Sequence, residues 1–127
     1  YLVTKENYRY SKFFPVSLPF WGEWMVSQGH EGKITHLGDW SKAFDFIVLD
    51  EEMKSYQNPG TKPEDFYCYD KPILSPGEGQ VVVIEDGIEE NSVADMNLQK
   101  NWGNTIIISH GNGLYSQLSH LKKVALR

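Results

Sequence analysis

Cysteine, basic charge and long apolar runs are all scarce in this sequence, and each scarcity excludes a class of protein. The single cysteine, Cys68, has no partner for an internal disulfide or a thiolate metal site, so we expect a small buried apolar residue. With 17 acidic against 12 basic side chains, the net charge of -5 leaves no basic surface for nucleic acid. No apolar run is long enough to cross a bilayer, so no membrane-spanning segment is predicted.

The length and the aromatic content favour one β-rich domain. A chain of 127 residues accommodates one hydrophobic core, and an aromatic share of 13% is typical of strands. Residues 1–27 are rich in aromatic side chains and include Pro15 and Pro19, which disfavour a helix or a central strand. We therefore predict an extended lead-in that is packed by its rings.

Strand patterns recur along the rest of the chain. They are predicted in AFDFIVLD from Ala43, in QVVVIE before Asp86, and on both sides of the turn in TIIISHGNGLYSQLSH. A polar loop of about twenty residues, rich in Pro and Gly, separates the first two strands and is expected at the surface. The predicted fold class is all-β, with antiparallel strands and no long helix.

The pair Asn112-Gly113 predicts a two-residue hairpin turn, which fixes the pairing of the flanking strands. In a regular hairpin His110 faces Tyr115 and Thr105 faces His120. The expected faces then hold Ile106, Ile108, His110, Tyr115 and Gln117 on one side, and Ile107, Ser109, Ser116, Leu118 and His120 on the other. The two histidines are predicted to point to opposite faces, so only one of them belongs to any single site.

Asp45 and His36 are the candidate metal ligands. Asp45 alternates with apolar residues in its predicted strand, and a carboxylate in such a place is either paired, metal-bound or on an exposed face. Gly38-Asp39 provides a turn that would bring His36 back toward Asp45. Imidazole nitrogen and carboxylate oxygen are common ligands of catalytic zinc.

The segment QGHEGKITHLGDWSKAFDF resembles the lysostaphin-type zinc endopeptidases, in which a His and a following Asp are the first two zinc ligands. By this resemblance they are His36 and Asp45, with a longer interval than in the compact form of the motif. The likeness continues through GEGQVVVIEDGIEEN and WGNTIIISHGNGLYSQLSHLKK. It covers nearly everything after about Gln28, which implies a lead-in over 1–27 and a partial domain over 28–127. It implies an antiparallel barrel-sandwich of the duplicated hybrid motif type.

The same resemblance implies a reaction and the residues that take part in it. The family hydrolyses peptide bonds in the peptidoglycan of bacterial cell walls, which implies an extracytoplasmic location. Its catalytic histidine before Leu corresponds to His120, a residue that assists beside zinc rather than binding it. His110 is expected to close its strand, and His30 to lie at the surface.

The family's later HxH pair, which supplies the third zinc ligand, has no counterpart before Arg127. We therefore expect an incomplete domain whose parent protein completes the site, with the 127-residue chain inactive alone. An incomplete sheet exposes strand edges, so self-association is also expected.

Three other functions are compatible with parts of the sequence. A non-catalytic relative would keep the fold and bind cell wall or an envelope partner. Met53-Lys54 is similar to the modified lysine motif of biotinyl or lipoyl carrier domains, but lacks the second Met. A phosphoryl-transfer domain with paired histidines has a related fold, and the predicted opposition of His110 and His120 disfavours it.

Overall fold

The structure is a computed structural model that describes residues 2–4 and 14–126, with the backbone alone for 2–4. Over these residues the predicted all-β class is confirmed. The chain forms six strands in two antiparallel sheets, with two short 3₁₀ helices and no closed barrel. The strands are β1 (Leu2–Thr4), β2 (Met25–Gln28), β3 (Asp45–Ile47), β4 (Gln80–Glu85), β5 (Asn104–Gly111) and β6 (Leu114–Leu121), and the 3₁₀ helices are η1 (Gly38–Trp40) and η2 (Pro63–Asp65).

The chain is divided into two compact units. One contains the described residues up to Trp21, together with Ile73–Ile88 and those from Trp102 onward, and the other contains Gly22–Pro72 and Glu89–Asn101. The first unit holds the four-stranded sheet, in the order β1-β6-β5-β4, and the second holds the β2–β3 pair. The predicted division into 1–27 and 28–127, which rests on the resemblance, stays a prediction.

The first unit has a small apolar core on one face of its sheet. Ile106, Ile108 and Leu114 are buried there, and Leu114 is only 1% exposed. Phe20 is also buried, and the ring of Phe14 lies 5.2 Å from that of His110, in line with a lead-in packed by its rings. The other predicted lead-in residues before Phe14, Leu2–Thr4 apart, lie outside the described part of the chain.

Asn104 fixes the end of this sheet through buried hydrogen bonds. Its Oδ1 accepts the Ile88 N–H at 2.9 Å, and its Nδ2 donates to the carbonyls of Ile88 at 3.2 Å and Lys122 at 2.8 Å. The side chain therefore satisfies three backbone groups that belong to segments entering and leaving the sheet.

The predicted hairpin turn is confirmed, but the regular pairing that was predicted for its two strands is wrong. Asn112 and Gly113 both have positive φ, and Gly111 pairs with Leu114. Beyond the turn, however, Ser109 pairs with Tyr115, because His110 is an extra residue that the ladder leaves unpaired. A second bulge follows, since the two residues Ser119 and His120 lie opposite Thr105 alone.

The two bulges also correct the predicted faces. Ser116 pairs with Ile108 and Leu118 with Ile106, so these β6 residues share the core face. Tyr115 and Gln117, which were predicted there, instead pair with Ser109 and Ile107. The physical reason is the extra residue at His110, which reverses the alternation of β6 relative to β5.

The strand predicted from Ala43 is shorter than expected, running over Asp45–Ile47. The long loop that follows is organised by Asp50, whose Oδ1 accepts the N–H groups of Glu52 and Lys54, both at 2.9 Å. Its Oδ2 accepts the hydroxyl of Tyr67 at 3.0 Å. The hydrogen bond from the Lys54 backbone N–H makes the largest contribution to lowering the pKa of Asp50. The hydrogen bond that the Tyr67 hydroxyl donates to Asp50 raises the pKa of Tyr67.

This lowered pKa predicts an acid-sensitive loop. A carboxyl whose folded pKa lies below its ordinary value of 3.8 stabilises the folded chain above that pH and loses this contribution as pH falls through the folded pKa. In urea titrations at a series of pH values, wild type should lose more stability below about pH 4 than Asp50→Asn does. Asp95→Asn, which removes one exposed carboxylate elsewhere in the same unit, should follow wild type. Parallel curves for wild type and Asp50→Asn would contradict the expectation.

Two further features bear on the sequence predictions. Cys68 is half-buried, and burial raises the pKa of its thiol. Within the described residues, no helix has the length and apolar character needed to cross a membrane, as expected. The predicted self-association through sheet edges stays a prediction.

Candidate metal centre

Asp45 is positioned by the pairing of β2 with β3. A bulge at Ser27 shifts the register so that Gln28 becomes the partner of Asp45. Partner residues on antiparallel strands project to the same face, and the Gln28 Nε2 accordingly donates to Asp45 Oδ2 at 3.2 Å. The Asp45 side chain is 52% exposed, so the carboxylate is not buried, and its described partners are an amide and an imidazole rather than a basic side chain.

Neighbouring aromatic residues occupy the opposite face of β3. Phe44 and Phe46 flank Asp45, and their rings are stacked with centroids 6.1 Å apart and an interplanar angle of 16°. Residues two positions apart in an extended segment lie on the same side, and the stacking is compatible with that arrangement.

His36 is the only buried residue among the described residues of its unit, with 5% of its surface exposed. Its Nδ1 lies 2.9 Å from the carbonyl oxygen of Gly29, the residue after Gln28. Because a carbonyl only accepts hydrogen bonds, we assign a proton to Nδ1, which leaves Nε2 with a lone pair in the neutral ring. The predicted turn at Gly38-Asp39 is confirmed by η1, which begins at Gly38 with φ 57°.

The two predicted ligands meet. His36 Nε2 lies 3.3 Å from Asp45 Oδ2. With the ring proton on Nδ1, this contact sets a nitrogen lone pair against a carboxylate oxygen, and two acceptors so close repel unless a cation or a second ring proton lies between them.

The spacing fits zinc. Zn–N bonds of about 2.0–2.1 Å and Zn–O bonds of about 2.0–2.2 Å at a tetrahedral angle separate two ligand atoms by about 3.4 Å. Donation of the other ring N–H to a backbone carbonyl, as His36 does to Gly29, is the usual support of a metal-binding imidazole. Among the described side chains, no group of three His, Cys, Asp or Glu residues is arranged for a metal. The His36–Asp45 pair offers two potential ligands, whereas catalytic zinc uses three protein ligands.

Gln28 is a site residue that sequence reasoning missed. Its Oε1 accepts the N–H groups of Ile34 and Thr35, both at 3.3 Å, and these residues lead directly into His36. Gly32 leaves room for this side chain, since a Cβ at position 32 would come within 2.5 Å of Gln28 Cγ. The available signal was the QG dipeptide upstream of the His and Asp ligands, which became informative only with the register of β2 against β3.

His120 belongs to the other unit, at the second bulge of the hairpin. The residue is exposed with φ 59°, its N–H donates to the Trp102 carbonyl at 2.9 Å, and its ring centroid lies 6.1 Å from that of Trp102. Thr105, its predicted partner, instead contacts Ser119, with 2.5 Å between their hydroxyl oxygens. The backbone N–H of His120 therefore lies outside the β5–β6 ladder.

His110 occupies the first bulge and is held on both ring nitrogens. Nδ1 lies 2.6 Å from the Glu78 carbonyl oxygen and Nε2 lies 2.8 Å from Ser116 Oγ. Along β6, five residue steps lead from Tyr115, which is next to His110 in the ladder, to His120. This corresponds to about 17 Å of strand. The inference that the two histidines do not share a site on this hairpin therefore holds, for a reason different from the predicted opposition of faces.

The other sequence candidates lie apart from any such cluster. The His30 side chain is 51% exposed, in agreement with a surface position, and its Nε2 is 4.0 Å from Glu31. Lys54 pairs with Glu52 at 2.5 Å within the turn that Asp50 organises.

An open apolar depression of about 300 Å³ on the four-stranded sheet is lined by Val82, Val83, Ile107, Tyr115, Ser116 and Gln117.

Comparison of the chain with protein-family models, with curated proteins and with solved structures finds no match. The likeness to lysostaphin-type peptidases therefore stays a prediction carried by the motif residues.

Proposed function

We propose that this chain carries two zinc ligands, His36 and Asp45, of an endopeptidase that hydrolyses the peptide part of bacterial peptidoglycan outside the cytoplasm. The observation that supports the metal centre is the 3.3 Å separation of His36 Nε2 and Asp45 Oδ2, with His36 Nδ1 held by the Gly29 carbonyl. The substrate and the location rest on the motif resemblance.

The residues of the chain have distinct parts in this proposal. The Gly29 carbonyl holds the imidazole so that Nε2 faces the metal position, and the Asp45 carboxylate supplies negative charge from the adjoining strand. If bound by these two residues, zinc would supply Lewis acidity toward a peptide carbonyl and would lower the pKa of a bound water. The catalytic part of His120, which lies in the other unit, rests on the motif resemblance alone.

Among the described residues His36 and Asp45 are the two proposed ligands, and the third that catalytic zinc requires is not assigned. The second candidate function is a non-catalytic relative that keeps the fold and binds cell wall. The two functions differ in whether peptide bonds are cleaved.

Two measurements test the proposal. The purified 127-residue chain should bind one zinc ion, measured by competition with a chromophoric chelator, and His30→Ala should bind it equally well. The parent protein should release new amino groups from isolated peptidoglycan and lose this activity when Asp45 is replaced by Asn. Zinc binding with no release of amino groups would favour the wall-binding relative, and no zinc binding at all would contradict the metal centre.

A further inference from the structure

We propose that Gln28 is the positioning residue of the His36–Asp45 pair, holding the carboxylate oriented for a metal before the metal arrives. The inference rests on the proposed zinc function and extends it to a residue that binds no metal itself. It depends on a single amide that contacts both the segment before His36 and the carboxylate of Asp45.

The orientation of this amide is fixed by what it contacts. Ile34 and Thr35 both present backbone N–H groups, which only donate, so the atom that receives them is the oxygen Oε1. Nε2 then donates to Thr35 Oγ1 at 2.5 Å and to Asp45 Oδ2 at 3.2 Å. A side-chain amide has two acceptor and two donor positions, and all of them are used.

The oxygen that Gln28 contacts is the one that faces the imidazole. Asp45 Oδ2 receives the Gln28 Nε2 hydrogen bond and lies 3.3 Å from His36 Nε2. The carboxylate is 52% exposed and its torsion is free to turn in solvent, so the hydrogen bond from Gln28 selects one orientation. The same amide accepts hydrogen bonds from the backbone of residues 34 and 35, which precede His36. Gln28 therefore holds both the segment that carries His36 and the carboxylate of Asp45, and so constrains the distance between them.

Loss of such an outer hydrogen bond typically lowers metal affinity by about 10- to 100-fold, because the ligand must be oriented at the expense of binding. Gln28→Met keeps the length of the side chain and removes all four hydrogen bonds. Gln80→Met makes the same chemical change at an exposed position in β4 and is the matched control.

The test measures cobalt(II) binding through its visible absorption, followed by displacement with zinc. Gln28→Met is expected to bind about 10- to 100-fold more weakly than wild type and to show an altered cobalt band at saturation, whereas Gln80→Met matches wild type. In the metal-free chain, hydrogen exchange at the amides of Ile34 and Thr35 should be faster in Gln28→Met. Gly32→Ala, which crowds the Gln28 side chain without removing a hydrogen-bonding group, should weaken cobalt binding in the same direction even if Gln28→Met fails to fold.

The possible failures are distinguishable. If wild type binds cobalt and both Gln28→Met and Gly32→Ala bind it equally tightly, the positioning role is overturned while the metal centre stands. If wild type binds neither metal, the proposed function fails and takes the positioning role with it. Unchanged exchange at Ile34 and Thr35 in a folded Gln28→Met variant would overturn the anchoring of the loop independently of any metal.

Discussion

Replacing His36 by alanine is expected to weaken zinc binding by the 127-residue chain by about 10²- to 10³-fold. Structural zinc sites with four ligands bind with about 10–16 kcal/mol, or roughly 2.5–4 kcal/mol for each ligand, and each 1.4 kcal/mol is a tenfold change in affinity. Removal of the imidazole leaves one protein ligand, the half-exposed carboxylate of Asp45. Isothermal titration with zinc at constant pH measures the loss directly.

His30→Ala is the matched control for this substitution. It removes an imidazole from the same unit at a side chain that is 51% exposed, so zinc affinity should stay within about twofold of wild type. Equal losses in the two variants would mean that zinc binds histidines without selection, and the His36–Asp45 centre would be abandoned. Because His36 is buried, circular dichroism of the metal-free variant must first show that its fold is retained.

Leu114→Ala is expected to destabilise the unit with the four-stranded sheet by about 2–5 kcal/mol. Leu114 is 1% exposed and follows the hairpin turn directly, where it packs on the core face with Ile106 and Ile108. Its truncation leaves a cavity that the paired strands cannot close without breaking the ladder. The measurement is urea unfolding, whose midpoint should fall by on the order of 1–2 M.

Leu126→Ala provides the control for the leucine truncation. Leu126 belongs to the same unit and is 59% exposed, so its loss should change the free energy of unfolding by less than about 0.5 kcal/mol. A small effect at both positions would show that the core around Ile108 contributes little. A total stability of about 5–15 kcal/mol is usual for domains, so the loss at Leu114 alone would be a large share of it.

Local patterns in the sequence predicted most of the strands. They also drew attention to His36 and Asp45. Alternation and β-branched residues predicted β4, β5 and β6, and Asn112-Gly113 predicted their turn. His36 and Asp45 were selected because their types suit zinc, a glycine-containing turn lies between them and the segment resembles a known zinc motif, and the structure places their side chains 3.3 Å apart. The chemistry of these residues is visible in the one-letter code.

Features that depend on contacts between distant segments were not predictable. Gln28 reads as an ordinary polar residue until the Ser27 bulge sets it against Asp45. The faces of β6 were wrong for a similar reason, since nothing in SHGNG shows that His110 is left out of the ladder. A bulge is the result of a competition between the turn and the core, and it is resolved only when both strands are packed.

The two hairpin bulges have a consequence for the pairing of β5 with β6. Omitting His110 would make Ser109 and Gly111 consecutive partners of Tyr115 and Leu114, and omitting His120 would similarly give Thr105 one partner. Each histidine thus behaves as a one-residue insertion into an otherwise regular hairpin. Backbone pairing in the ladder therefore requires neither residue, and each contacts a segment outside the hairpin, Glu78 for His110 and Trp102 for His120.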